Sequence, residues 1–240
     1  MLERREIFWN GVRSLILAAL VALPSWAAGK VCVAHVQGTI GPATATYLSR
    51  ALDEAAGHGA QCLVIQLDTP GGLLDSTKEI IQAFFRAPVP TVVYVSPSGA
   101  WAGSAGCFIT LAADVAAMAP STSIGAAHPV GISPGSEKTD DTMKQKLENF
   151  ASSYIEAIAE KRHRNTAWAR ASVRDSEALT AAQALERNVI DLVAEDLPDL
   201  LKKVDGRLVN GRALETAGAV LVDVPMNVPE NLFQVFAHPQ

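Results

Sequence analysis

A chain of 240 residues with 49% hydrophobic content can bury a sizeable single core, and its length demands no second domain. A formal net charge of −5, with no Arg-rich or aromatic-interleaved face, excludes nucleic acid as the expected partner. The three cysteines, Cys32, Cys62 and Cys107, lie in apolar runs and read as buried thiols, and without HExxH, CxxC or a carboxylate cluster at ligand spacing no metal and no cofactor are expected.

In chain order, Arg4, Arg5 and Arg13 precede the apolar run from Leu15 to Leu23, and Pro24-Ser25-Trp26-Ala27-Ala28 offers small residues for cleavage. The run is shorter than the ~20 residues that span a bilayer. Residues 1–28 therefore read as an export signal or an uncleaved N-terminal anchor, which places the rest at the periplasmic or extracellular face of the membrane. The body of the chain, 29–225, follows as one domain, and 226–240 as an amphipathic tail.

Val31 to Val36 predicts a buried strand, and Gly41-Pro42 opens a helix with Leu48, Ala51, Leu52 and Ala55 on one face. Cys62 to Leu67 is a continuous apolar run, expected of a strand covered on both faces. Thr77, Ile80, Ile81 and Phe84 mark a second helix, and Thr91 to Ser96 a third strand. A buried helix over Cys107 to Ala112 and a strand over Val115 to Met118 continue the alternation, which argues a mostly parallel α/β sheet with helices on both sides. Pro120 to Asp141 reads as a long functional loop. A helix from Thr142 ends in Lys161-Arg162-His163-Arg164, and Thr180-Ala181-Ala182-Gln183 fits a capping box with Asn188 closing its helix. Val189 to Ala194 reads as a strand, Leu197 to Val204 as a short helix, and Ala219 to Val224 as a last strand.

Two stretches carry chemistry. Asp68-Thr69-Pro70-Gly71-Gly72 puts two glycines at a strand-to-helix corner, where bare amides can face a ligand. Gly103-Ser104-Ala105-Gly106 puts Ser104 at the first turn of the buried helix, where free N–H groups and the helix dipole favour developing negative charge. Together they read as a nucleophile and an oxyanion hole. The serine needs a base, and both His128 and Lys146 follow it. A lysine serves only when desolvated and kept from carboxylates, and spacing alone leaves the choice open.

These two motifs, followed by Ser121-Thr122-Ser123-Ile124-Gly125-Ala126-Ala127-His128-Pro129, resemble the protease domain of the NfeD-type membrane serine proteases. That family is related to ClpP and signal peptide peptidase A within the ClpP/crotonase fold, a parallel sheet of repeated ββα-type units. The resemblance runs from about Val31 to about Val224. It implies a Ser–Lys dyad of Ser104 and Lys146, with Lys144 as a neighbour of the base. It also implies oxyanion donors at Gly71, with Gly72 as the alternative, and at Ala105. Trp101, Phe108 and Ile132 are expected to line apolar subsites, and the substrate is expected to be a hydrophobic segment such as the C-terminal tail of a stomatin-like partner. A homodimer or higher homo-oligomer is expected. The tail resembles the linker before the membrane helices of longer relatives. Three other readings stay open: a ClpP-type Ser104–His128–Asp175 triad, a noncatalytic scaffold for a stomatin-like protein, and a crotonase-like acyl-CoA enzyme.

Overall fold

The computed structural model describes residues 29–129 and 141–230. The N-terminal segment 1–28, Ile132 and the end of the tail from 231 lie outside these. The elements run β1 (Lys30–Gln37), α1 (Pro42–Gly57), β2 (Cys62–Asp68), α2 (Leu74–Arg86), β3 (Thr91–Val95), β4 (Trp101–Gly103), α3 (Ala105–Ala112), β5 (Val115–Met118) and β6 (Ser123–Gly125). They continue with α4 (Asp141–Lys161), α5 (Thr166–Arg174), β7 (Ala178–Thr180), α6 (Ala181–Glu186), β8 (Leu192–Val193), α7 (Leu197–Val204), β9 (Leu208–Val209), β10 (Arg212–Ala213) and β11 (Val220–Asp223).

Six parallel strands form the main sheet in the order β11-β1-β2-β3-β5-β8. From β1 to β5 the order advances in one direction, so right-handed crossovers place α1, α2 and α3 on the same face. The chain reaches β8 at one edge and returns to β11 at the other, and α7 covers the second face on that return. Both faces are therefore covered, as the apolar strands require, but unequally. The alternation along each strand sorts the core: Leu63, Ile65, Leu67, Val93 and Val95 face the helical layer, whereas Cys62, Val64, Val92 and Tyr94 face α7.

The predicted strands and helices fall where the sequence puts them, and Asn188 takes the left-handed backbone, at φ 57°, that closes α6. Thr180 and Gln183 form the reciprocal capping box. Four features are not legible in the apolar pattern. They are the short strands β4, β6 and β7, which form a separate small sheet in the order β4-β6-β7, and the helix α5. β6 lies inside the stretch expected to be loop throughout, because Ser123 to Gly125 pairs with β4 on one side and β7 on the other. Nor is the work of the basic run after α4 legible there. Arg162 Nε donates to the carbonyl of Ala112 at 2.7 Å, and Arg164 Nη1 donates to those of Leu111 and Ala113 at 2.7 and 2.9 Å. The two guanidiniums thus satisfy the free carbonyls at the C-terminal end of α3. Asp114 holds Arg162, and Asp191 holds both Arg164 and Arg207.

Candidate active site

The site forms at the C-terminal ends of the parallel strands, where α/β sheets place ligands. Beyond β2 the chain keeps an extended path and is paired on both sides. Thr69 pairs with Ala102 of β4, and Gly72 pairs in parallel with Ile40 just after β1. The amide of Ile40 donates to the carbonyl of Gly71 at 2.8 Å, and the amide of Leu73 donates to the carbonyl of Ile40 at 2.9 Å. Gly72 lies between these two bonded residues. By strand alternation its own N–H points to the opposite edge, the side on which β4 and Ser104 lie. That N–H has no hydrogen-bond partner among the described residues.

Ser104 is the N-cap of α3, with φ 47° and ψ −110°, a conformation that costs a non-glycine residue of order 1–3 kcal/mol. The surrounding hydrogen bonds hold it there: its N–H donates to the carbonyl of Gly125 at 3.0 Å, and its carbonyl accepts from Cys107 at 3.0 Å. The glycine corner lies directly against it. A Cβ on Gly71 would stand 2.7 Å from Ser104 Cβ, 3.2 Å from its Oγ and 3.6 Å from the amide nitrogen of Ala105. Gly71 itself has φ 132°, so both space and backbone demand glycine. As the first residue of α3, Ala105 has an N–H with no acceptor in a preceding turn. The structure therefore brings Gly71, Gly72, Ser104 and Ala105 together. The N–H of Gly71, however, already donates to Thr69 Oγ1 at 3.0 Å, which leaves those of Gly72 and Ala105 open.

The candidate bases stand differently. Lys146 lies in the first half of α4, where every residue from Asp141 to Phe150 is exposed except Glu148. Lys144 faces Asp141 at 3.8 Å. His128 is half-buried, and its Nδ1–H donates to the carbonyl of Val173 at 2.9 Å. Asp175, the C-cap of α5, is exposed and makes no contact with that ring among the described residues. No hydrogen bond joins Ser104 Oγ to either lysine or to His128 among the described residues. The thiols offer no rival nucleophile, since burial pushes Cys62 and Cys107 up to about 12.

Of the residues expected to line subsites, Trp101 is 53% exposed three positions before Ser104, whereas Phe108 is buried. Phe108 is the foot of an aromatic ladder. It stacks on Tyr154, which stacks in turn on Phe150, with 6.1 Å between ring centroids at each step. Met143, Leu147 and Phe150 extend the ladder as an exposed apolar stripe along the start of α4. Leu73 and Leu74, exposed beside the glycine pair, were not singled out from the sequence. They follow Gly71-Gly72 directly, and that adjacency was the available signal.

Among the described residues no cluster of three or more His, Cys, Asp or Glu side chains is arranged to hold a metal, and no helix is long and apolar enough to cross a membrane.

Several known proteins resemble this chain. The chain is 36% identical over 204 residues to the membrane-bound protease PH1510 of Pyrococcus horikoshii, an alignment covering 83% of this chain and 46% of that protein. It is 29% identical over 187 residues to the membrane protein NfeD1b of Bacillus subtilis, covering 72% of this chain and 41% of that one. The chain thus spans about half the length of the curated relatives it matches. Among solved structures, a lysine-to-alanine variant of the 1510-N membrane-bound stomatin-specific protease, in complex with a substrate peptide, superposes with a TM-score of 0.77 at 31% identity. It covers 88% of this chain and 98% of that one. A serine-to-alanine variant of the same protease gives 0.75 at 34% identity, covering 82% and 98%. ClpP1 of Listeria monocytogenes, at 17% identity and a TM-score of 0.54 over 68% of this chain and 91% of that one, shares the fold. The profile of the NfeD1b N-terminal domain matches residues 30–207, and the chain belongs to that family, which includes a membrane-bound protease.

Proposed function

We propose that this domain is a serine endopeptidase in which Ser104 is the nucleophile and Lys146 the base. One observation carries the reading. A serine held in a strained backbone at the N-terminus of a buried helix lies against a glycine corner that no side chain can enter. In the proposed reaction neutral Lys146 accepts the Ser104 hydroxyl proton as Oγ attacks the scissile carbonyl. The open amides beside the serine, Ala105 and Gly72, take up the oxyanion, and Gly71 keeps side chains out of the space between them. The lysine returns its proton to the leaving amine as the peptide bond breaks. A water then attacks the acyl carbon and gives a proton to the same lysine; as the acyl–Oγ bond breaks the lysine passes that proton to Ser104 Oγ, and the acid product leaves and ionises in solvent.

For this cycle Lys146 must leave solvent and approach Ser104. The exposed stripe of Met143, Leu147 and Phe150 is the means: an apolar segment lying between it and Trp101 would bury both surfaces and carry the first half of α4 toward the serine. The proposed substrate is therefore a hydrophobic stretch of a membrane-associated protein. Likeness to a stomatin-specific protease makes the tail of a stomatin-like protein the first candidate. Action at the outer face of the membrane, in a homo-oligomer, completes the proposal.

The test is hydrolysis of hydrophobic peptides by the wild type, Ser104→Ala, Lys146→Ala and His128→Ala. Loss of activity in the first two variants, with the third largely active, is the expected result. A dead His128→Ala beside an active Lys146→Ala would replace the dyad with the triad. That triad has one observation against it, since the ring nitrogen an aspartate would hold is bonded to Val173.

A further inference from the structure

The glycine corner is held by one side chain to which the reaction above gives no part. Thr69 is fully buried and touches three pieces of the site. Its main chain joins β4, donating to the carbonyl of Trp101 at 2.9 Å and accepting from the amide of Gly103 at 3.0 Å. Its methyl group fills the notch at Gly106 in the nucleophile helix, where an added Cβ would come within 2.6 Å of Thr69 Cγ2. Its hydroxyl turns to Gly71, accepting the N–H at 3.0 Å and donating its own proton to the carbonyl at 3.1 Å.

A threonine hydroxyl that accepts from the amide two residues on fixes a turn locally. Here the bond closes in both directions. The Gly71 carbonyl takes a second bond from the amide of Ile40, so the peptide plane between Gly71 and Gly72 is fixed by two donors. In a trans peptide the N–H points opposite to the C=O. Fixing the Gly71 carbonyl toward Ile40 and Thr69 therefore aims the Gly72 N–H toward the edge where Ser104 lies.

We propose that Thr69 is a positioning residue for the oxyanion hole. Its hydroxyl sets the Gly71–Gly72 peptide so that Gly72 and Ala105 present their N–H groups together. The proposal rests on the reading of Ser104 as the nucleophile, and two substitutions separate the hydroxyl from the methyl group. Thr69→Val keeps the branched shape and removes the hydroxyl; Thr69→Ser keeps the hydroxyl and empties the notch at Gly106. Thr69→Val is expected to lower kcat on a hydrophobic peptide about 10²-fold, the scale of losing one oxyanion donor, with KM within about twofold. Thr69→Ser is expected to keep kcat within about threefold while lowering the melting temperature more, since it is the variant that opens a cavity. An active Thr69→Val, or equal losses in both variants, overturns the proposal.

Amide hydrogen exchange at Gly71, followed by NMR on the labelled full chain, reads the clamp without any turnover. Slow exchange in the wild type and Thr69→Ser, with fast exchange in Thr69→Val, is expected; fast exchange in the wild type overturns the clamp. A wild type whose hydrolysis equals that of Ser104→Ala would overturn the peptidase reading and the catalytic role of Thr69 with it. Failure of Thr69 alone instead leaves Ser104-dependent hydrolysis intact.

Discussion

The proposed nucleophile and its proposed base belong to regions of opposite character. Around Ser104, β2, β4 and α3 are locked by main-chain pairing, by the interlocking glycines and by two arginines at the far end of α3. Around Lys146, the helix from Asp141 to Phe150 is exposed among the described residues apart from Glu148, and the buried side chains of α4 begin only at Ala151. Half of a helix that buries so little is marginal in water by itself. The contrast teaches that acid–base competence and oxyanion binding need not be built together. In the proposed mechanism the part that stabilises charge is preorganised by the core, and the part that moves the proton is left to be brought in by whatever covers its apolar stripe. Substitutions around Lys146 should therefore spare stability, whereas those around Ser104 should cost it.

The largest effect is expected at the point of closest approach. Gly71→Ala places a methyl group 2.7 Å from Ser104 Cβ on a backbone at φ 132°. Hydrolysis should fall by on the order of 10³-fold as the nucleophile is displaced, and stability by about 1–3 kcal/mol. Peptide turnover and a denaturation curve check both, and an active Gly71→Ala enzyme would remove Ser104 from the mechanism. Lys146→Ala should approach the same loss of turnover, about 10²–10⁴-fold, yet leave the melting transition in place because the side chain is exposed. A large drop in stability in that variant would contradict the division between the regions. Arg164→Met probes the locked region from its far side. Arg164 is buried against Asp191, so removing it leaves the carbonyls of Leu111 and Ala113 without that donor and Asp191 with Arg207 as its remaining arginine, at a cost of about 1–3 kcal/mol in denaturant. Turnover per folded molecule should change far less than stability.

How far the sequence reveals all this follows the same division. Apolar runs such as Cys62 to Leu67, broken only by Gln66, and the capping chemistry at Thr180 and Asn188, declare the main sheet and its helices because burial and turn geometry act locally. The serine and the glycine pair are legible as a motif, since only small residues tolerate that approach. The small sheet is not: β4, β6 and β7 have three residues each and owe their existence to partners far along the chain. Lys161-Arg162-His163-Arg164 looks like a solvated helix end, and only the tertiary fold shows two of its arginines capping α3. Thr69 stands in plain view beside the glycines, but its role depends on Gly106 and β4, which no local pattern brings near. The setting of Lys146 is unreadable for the opposite reason, because an exposed side chain among the described residues leaves no apolar pattern to read.

The smallest effect tests what covers the stripe. Phe150 is 49% exposed and stacks on Tyr154, so Phe150→Ser forfeits part of one aromatic contact, of order 1 kcal/mol, and little buried area. If an apolar substrate segment lies along Met143, Leu147 and Phe150, the lost contact is made in the bound ground state and in the transition state alike. KM for a hydrophobic peptide should then rise about threefold to tenfold with kcat nearly unchanged, the signature of uniform binding. Leu208→Ser, at an exposed residue of the β9–β10 hairpin, is the control and should move neither constant. A fall in kcat at constant KM would instead mean that Phe150 serves to bring α4 inward rather than to hold substrate. In that case the stripe delivers Lys146 by packing on the protein itself rather than through bound substrate, and the exposure of Met143, Leu147 and Phe150 is what leaves it free to do so.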